Sequence, residues 1–129
     1  VEREIASFHH AESALLFSSG YQANLSLLSS LPRRHDTIIY DQLIHASLRD
    51  GIRLSGAKAF SFRHNDLGDL KEKLSRGSGS LLIVVESIYS MDGDRAPLAG
   101  IVELAEAAGA GVIVDEAHSV GIDGISGRG

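Results

Sequence analysis

Short apolar runs rich in β-branched residues alternate along this chain with stretches whose apolar residues recur every three or four positions. The runs Ala14–Phe17, Thr37–Tyr40, Lys58–Phe62, Leu81–Val85 and Val112–Val114 read as strands. The helical patterns lie between them. Val1–Phe8 opens the chain as a helix, and Tyr21–Leu31 carries Ala23, Leu27, Leu28 and Leu31 on one face before Pro32 stops it. A further helix is expected after His45. Asp66–Ser75 groups Leu67, Leu70 and Leu74, with Asp66 and Asp69 spaced as a capping box. Pro97 is placed to be the first residue of a helix to Ala108, with Leu98, Ile101, Val102 and Ala105 facing inward and Gly109 closing it.

Strands alternating with helices require crossover connections, which are right-handed and build a mostly parallel sheet covered on both faces. The fold class is therefore α/β, with three layers, helices on either side of the sheet. No repeat or linker breaks the pattern, and Arg76-Gly77-Ser78-Gly79-Ser80 reads as a flexible helix-to-strand loop.

In such sheets ligands bind beyond the carboxyl ends of the strands. Four segments occupy that position. Ser18-Ser19-Gly20-Tyr21 leads into a helix, where unpaired N–H groups and the dipole favour an anion and Gly20 allows close approach; Ser19 also suits an ordinary N-cap. Asp41-Gln42-Leu43-Ile44-His45 delivers an imidazole that is either structural or stacked on a flat ring. Glu86-Ser87-Ile88-Tyr89-Ser90-Met91-Asp92-Gly93-Asp94 is either an Asp-Gly turn with solvated acids or part of a site, since Glu86 continues a buried strand and needs a partner.

The fourth segment is the most informative. The Val112–Val114 run ends in Asp115 and, three residues later, His118. Three chemistries suit that pair: an acid holding Mg²⁺ in a nucleoside triphosphatase, a carboxylate and imidazole on a phosphorylated pyridine ring, or a structural carboxylate. A carboxylate beside a protonated ring nitrogen stabilises its charge, and the ring becomes an electron sink.

Composition removes rivals. Asp115-Glu116-Ala117-His118 would serve a helicase only with an upstream GxxxxGK[ST] loop, and none exists; Lys58, Lys71 and Lys73 are the only lysines and none follows a glycine. The formal net charge of -5, without a basic run, argues against nucleic acid and anionic membranes. No cysteine and no His-x-x-x-His pair leaves no zinc site, and no Gly-x-Ser-x-Gly elbow is present. At 129 residues and 43% hydrophobic content the chain suits one globular domain, with no disulfide framework, membrane span or signal peptide, so the cytoplasm is expected. It opens inside a helical pattern and stops in a glycine loop, as a segment of a longer protein would.

The motifs Ser19-Gly20-Tyr21-Gln22-Ala23-Asn24, His45-Ala46-Ser47-Leu48-Arg49-Asp50-Gly51, His64-Asn65-Asp66, Ser90-Met91-Asp92-Gly93-Asp94 and Asp115-Glu116-Ala117-His118-Ser119 through Gly127-Arg128-Gly129 resemble the α-oxoamine synthases, nearly end to end and in order. The resemblance implies fold type I of the pyridoxal phosphate enzymes, the aspartate aminotransferase fold, with residues 1–129 forming part of the cofactor-binding large domain. It implies that Gly20 and Tyr21 meet the phosphate, His45 stacks on the ring, Asp115 pairs with the ring nitrogen, and Ser90 and His118 approach the phenolic oxygen. Glu86 would lie nearby. His45, His118 and Asp115 are the implied catalytic residues.

The implied reaction joins an acyl-CoA to an amino acid with loss of CoA and CO₂. Within the family the chain most resembles the branch that uses a pimeloyl thioester and L-alanine in biotin biosynthesis, with serine-palmitoylating and glycine-acetylating branches as alternatives; the His64-Asn65-Asp66 form is more similar to the first two than to the third. A homodimer is implied, and a non-catalytic relative is the rival reading. The family's Schiff-base lysine follows the Asp115-type acid by some tens of residues, beyond Gly129. None of Lys58, Lys71 and Lys73 suits that role, so the segment alone is expected to be inactive.

Overall fold

The computed structural model describes all residues, Val1–Gly129. In chain order it contains α1 (Glu2–Phe8), α2 (Gly20–Ser30), β1 (Thr37–Asp41), α3 (Ala46–Ser55), β2 (Lys58–Phe62), α4 (Leu67–Ser75), β3 (Leu81–Glu86), α5 (Leu98–Ala108), β4 (Gly111–Asp115) and a 3₁₀ turn at Ile125–Gly127. The four strands form one sheet in the order β2-β1-β3-β4, and every pairing is parallel.

Alternate strand residues feed opposite faces. Ile39, Phe62, Ile83 and Val85 pack with Leu70, Leu74, Ile101 and Ala105 of α4 and α5. Ile38 and Val84 pack on the other side with Leu28, Leu48 and Ile52 of α2 and α3 and with Ile44 and Tyr89. Both faces are thus dry, which is why β1 and β3 read as nearly unbroken apolar runs. The result is the expected α/β/α arrangement. No helix is long and apolar enough to cross a membrane.

Three strands run one residue past the apolar stretch, so Asp41, Glu86 and Asp115 are themselves the last ladder residues. Glu86 and Asp115 are register partners across β3 and β4, which places both carboxylates on the same face of the sheet.

Several expectations need correction. Ala14–Phe17 is not a strand: it joins no ladder, and Leu15 and Leu16 are 73% and 60% exposed. The run has no β-branched residue, and the Leu16 N–H donates to the Glu2 carboxylate at 3.0 Å rather than to a neighbouring strand. On α2 the buried residue is Leu28, whereas Leu27 and Leu31 are exposed. The inward face is instead Asn24, Leu25 and Leu28, because α2 packs on α3 through Gly51, where a Cβ would stand 2.8 Å from Leu28 Cβ and 3.0 Å from the Asn24 carbonyl oxygen. On α5, Ile101 and Ala105 are buried but Val102 is exposed.

Two caps differ in detail. Pro97 is the N-cap of α5 rather than its first residue. Asp66 caps α4 by accepting from the Asp69 N–H at 2.9 Å, but the Asp69 carboxylate turns to the Arg63 N–H at 2.7 Å, so the box is only half made. The Arg76–Ser80 loop is tied down: Thr37 Oγ1 donates to the Ser78 carbonyl at 2.8 Å and accepts from its N–H at 2.9 Å.

Candidate active site

A cavity of about 640 Å³ opens where the carboxyl ends of β3 and β4 meet the N-termini of α2 and α3. That size suits a small-molecule ligand. Gly20, Tyr21, His45, Asp115 and His118 all line it, together with Asn24, Ser47, Glu86 and Glu116. Ser90 does not. It is exposed, and its N–H donates to Glu86 Oε2 at 3.3 Å, so its tie to the site runs through Glu86.

Local structure accounts for each placement. Ser19, in extended conformation, caps α2 by accepting from the Gln22 N–H at 3.2 Å, so the expected N-cap is present. Gly20 then starts the helix with nothing within 4 Å of where its Cβ would be, and of the first-turn N–H groups those of Gly20 and Tyr21 have no acceptor in the chain. The Tyr21 ring stands edge-on to the His45 ring at 6.3 Å between centroids. Its hydroxyl donates to Asp50, and that hydrogen bond raises the phenol above its ordinary value.

His45 caps α3. Its Nδ1 accepts from the Ser47 N–H at 3.2 Å and lies 2.7 Å from Ser47 Oγ. Asp115, at the end of β4, accepts from the Ala117 N–H at 2.9 Å through Oδ1 and from Asn24 Nδ2 at 2.8 Å through Oδ2. Asn24 Nδ2 also donates to Ser47 Oγ at 3.0 Å. His118 follows on a turn fixed by the Ser119 N–H donating to the Glu116 carbonyl at 3.0 Å, with Ser87 Oγ donating to the buried Ser119 Oγ at 2.9 Å.

Glu86 is 2% exposed and its Oε1 has no hydrogen-bond partner. Burial is the main influence and pushes its carboxyl above the ordinary carboxylate range; the His45 N–H opposes that shift and the Asp115 charge reinforces it. The cavity therefore holds two adjacent acids in different circumstances. Asp115 has two donors, and Glu86 keeps an unsatisfied oxygen that favours a proton.

Next to the site, a second polar cluster joins the end of β1 to the loops after β2 and β3. His64 Nδ1 lies 3.0 Å from Asp41 Oδ1 and its Nε2 lies 2.7 Å from Asp94 Oδ2. Its ring meets the buried Tyr89 ring edge-on at 4.5 Å. Asn65, in the left-handed region at φ 55°, donates its N–H to Asp41 and its amide to Asp94.

The profile of the aminotransferase class I and II family matches residues 1–127. The chain belongs to that family. It is 50% identical over 131 aligned residues to 8-amino-7-oxononanoate synthase 2 of Bacillus subtilis (strain 168), covering 100% of this chain and 34% of that protein. The chain thus spans about a third of the length of the curated relatives it matches.

Among solved structures, a serine palmitoyltransferase from S. paucimobilis with a bound PLP–myriocin aldimine superposes with a TM-score of 0.96 at 42% identity, over 99% of this chain and 33% of that one. The 8-amino-7-oxononanoate synthase of Francisella tularensis gives 0.87 at 38%, over 99% and 36%. These relatives are α-oxoamine synthases of fold type I, as the motifs anticipated.

Asn24 and Ser47 were not singled out from the sequence, although both stood inside quoted motifs. The available signal was spacing: Asn24 follows Gly20 by four residues on α2 and so shares its face.

Proposed function

We propose that the full-length protein is a pyridoxal phosphate-dependent C-acyltransferase that condenses an acyl thioester with an amino acid, and that residues 1–129 form part of its cofactor-binding large domain. The preferred pair is a pimeloyl thioester and L-alanine, which makes the product 8-amino-7-oxononanoate and the pathway biotin biosynthesis. The observation that carries this reading is one cavity that gathers an open helix N-terminus, a flat imidazole, a strand-end carboxylate and a second imidazole. The 50% identity to a named 8-amino-7-oxononanoate synthase supports the substrate choice.

The residues present fit the cofactor. The α2 N-terminus at Gly20 and Tyr21 offers unpaired N–H groups to a phosphate. Asp115 is an acceptor-only group suited to a ring N–H, and the His45 imidazole would lie against the ring face. His118, on the turn after β4, would donate to the phenolic oxygen, whereas Ser90 lies outside the cavity lining and is tied to it through Glu86. When bound, pyridoxal phosphate supplies an electron-withdrawing ring that stabilises negative charge developing at the α-carbon of the amino acid. The chain contributes binding, orientation and a fixed negative charge at Asp115. Lys58 lies on β2 and Lys71 and Lys73 on α4, so no lysine of this segment lines the cavity.

We further propose that the enzyme is cytoplasmic, which the cysteine-free, acidic composition supports, and that it acts on small-molecule substrates as a homodimer, which rests on the family resemblance alone. A second reading has its own support: the serine palmitoyltransferase superposes more closely than the Francisella synthase, at TM-scores of 0.96 and 0.87. One assay separates the two. The full-length protein with pyridoxal phosphate is offered alanine, glycine or serine with pimeloyl, acetyl, succinyl or palmitoyl thioesters. Preference for alanine with the pimeloyl thioester is expected; preference for serine with the palmitoyl thioester overturns the biotin assignment.

A further inference from the structure

Two of the cavity's functional groups, His45 and Asp115, are joined by a hydrogen-bond relay. Asn24 Nδ2 reaches Asp115 Oδ2 at 2.8 Å and Ser47 Oγ at 3.0 Å, and Ser47 Oγ lies 2.7 Å from His45 Nδ1. The donor and acceptor inventory leaves one arrangement. An ionised carboxylate only accepts, so the Asn24 atom facing Asp115 is the amide nitrogen, and flipping the amide would set two oxygens against each other. Both amide protons are then committed, one to Asp115 and one to Ser47 Oγ. The Ser47 hydroxyl, having accepted from Asn24, keeps its own proton for His45 Nδ1.

His45 Nδ1 receives a second donor, the Ser47 N–H at 3.2 Å. With two donors aimed at it, Nδ1 carries no proton, and the imidazole proton resides on Nε2. Ser47 is fully buried in the cleft between α2 and α3, so water does not compete for its hydroxyl.

We propose that Asn24 and Ser47 are positioning residues for the reaction, fixing His45 in its Nε2–H tautomer and Asp115 in a single orientation through one continuous relay. This rests on the reading of the cavity as a pyridoxal phosphate site. There, the relay presents the ring with an imidazole whose proton is on Nε2 and with a carboxylate oriented through both oxygens, Oδ1 by the Ala117 N–H and Oδ2 by Asn24. It also couples the two groups: a change at Asn24 is felt at both His45 and Asp115, although Asn24 lies on a different helix from either.

The test uses the full-length protein, with and without pyridoxal phosphate, as wild type and as Asn24→Ala, Asn24→Asp and Ser47→Ala. In cofactor-free protein labelled with ¹⁵N-histidine, long-range ¹H–¹⁵N correlation reads the His45 tautomer directly. Wild type is expected to show a pyridine-type Nδ1 and a pyrrole-type Nε2, and Ser47→Ala a mixture of tautomers. Pyridoxal phosphate affinity, followed by the cofactor's visible absorption, is expected to fall about 10-fold in Asn24→Ala and further in Asn24→Asp.

The isosteric acid is the discriminating variant. A space-filling role for Asn24 predicts that Asp behaves like wild type, whereas the relay predicts the worst binding, because a second carboxylate replaces the donor facing Asp115. A protonated Nδ1 in wild type, or Asn24→Asp affinity equal to wild type, overturns the proposal. If wild type shows no pyridoxal phosphate binding, the cofactor reading fails, while the tautomer measurement still decides the relay. Unchanged thermal unfolding of Ser47→Ala alongside a shifted tautomer separates positioning from loss of fold.

Discussion

Gly51→Ala probes the contact on which the geometry of the site depends. The new methyl would stand 2.8 Å from Leu28 Cβ, 3.0 Å from the Asn24 carbonyl oxygen and 3.3 Å from Leu25 Cα, all of them backbone or the root of a side chain. Carbon atoms rest at about 3.5–4.0 Å, so α2 must move away from α3 by close to 1 Å. Overpacking of this kind costs about 1–3 kcal/mol. Replacing Gly with Ala inside a helix returns about 1 kcal/mol of backbone propensity. The net expectation is a loss of about 0–2 kcal/mol in the full-length protein, read as an unchanged or lower urea midpoint at unchanged slope.

A functional signature accompanies it, because the displaced residue is Asn24. A shift near 1 Å carries the Asn24 amide out of hydrogen-bond range of Asp115 or Ser47, so pyridoxal phosphate binding weakens along with stability. A Gly51→Ala protein that gained about 1 kcal/mol, as propensity alone dictates, would refute the close α2–α3 packing and with it the placement of Asn24.

Three further outcomes are expected. Asp115→Asn keeps the shape of the strand end, so its unfolding free energy stays within about 1–2 kcal/mol of wild type while the condensation rate falls at least 10²-fold; a variant that chiefly unfolds would make the carboxylate structural. The isolated segment 1–129 shows no condensation activity in a product assay, since Lys58, Lys71 and Lys73 all lie away from the cavity; robust turnover contradicts that.

The third concerns pH. Burial alone would lower the His64 pKa, but Asp41 and Asp94, bonded to its two ring nitrogens, outweigh burial and raise it; Tyr89 and Asn65 complete its surroundings. A raised folded-state value means the stabilisation is full below about pH 6.5 and is lost as pH rises through the higher folded value. The stability gap between wild type and His64→Gln in urea unfolding is therefore expected to be widest near pH 6 and to narrow towards pH 9. A gap that widened with pH would contradict the charged bridge.

What the sequence disclosed follows from how local each signal is. The Thr37, Lys58, Leu81 and Val112 runs were legible because β-branched and aromatic residues flanked by turn residues need no distant partner to be recognised. Ala14–Phe17 looked similar in hydropathy but lacked that chemistry, and a strand exists only where a ladder partner is at hand. The inward face of α2 was misread because Leu27 and Leu31 outnumber Asn24 in apolar weight, while packing followed the gap left by Gly51 on a helix 27 positions from Asn24.

The site divides in the same way. Asp115 and His118 stood out as polar groups ending an apolar strand, and Gly20 as the opening of a helix. His45 as an N-cap was harder to see, since Ser, Thr, Asp and Asn dominate that position. Asn24 and Ser47 acquire meaning only when α2 and α3 meet and bring together groups from three elements. Ser90, placed by resemblance beside the ring, lies outside the cavity lining and is linked to it through Glu86.

The central claim, that this cavity holds a pyridoxal phosphate ring with Asp115 at its nitrogen, is tested most directly by the ¹⁵N resonance of ring-labelled cofactor bound to the full-length protein. The account predicts a protonated ring nitrogen in wild type and an unprotonated one in Asp115→Asn at the same neutral pH. A ring nitrogen in the same protonation state in both proteins would contradict it.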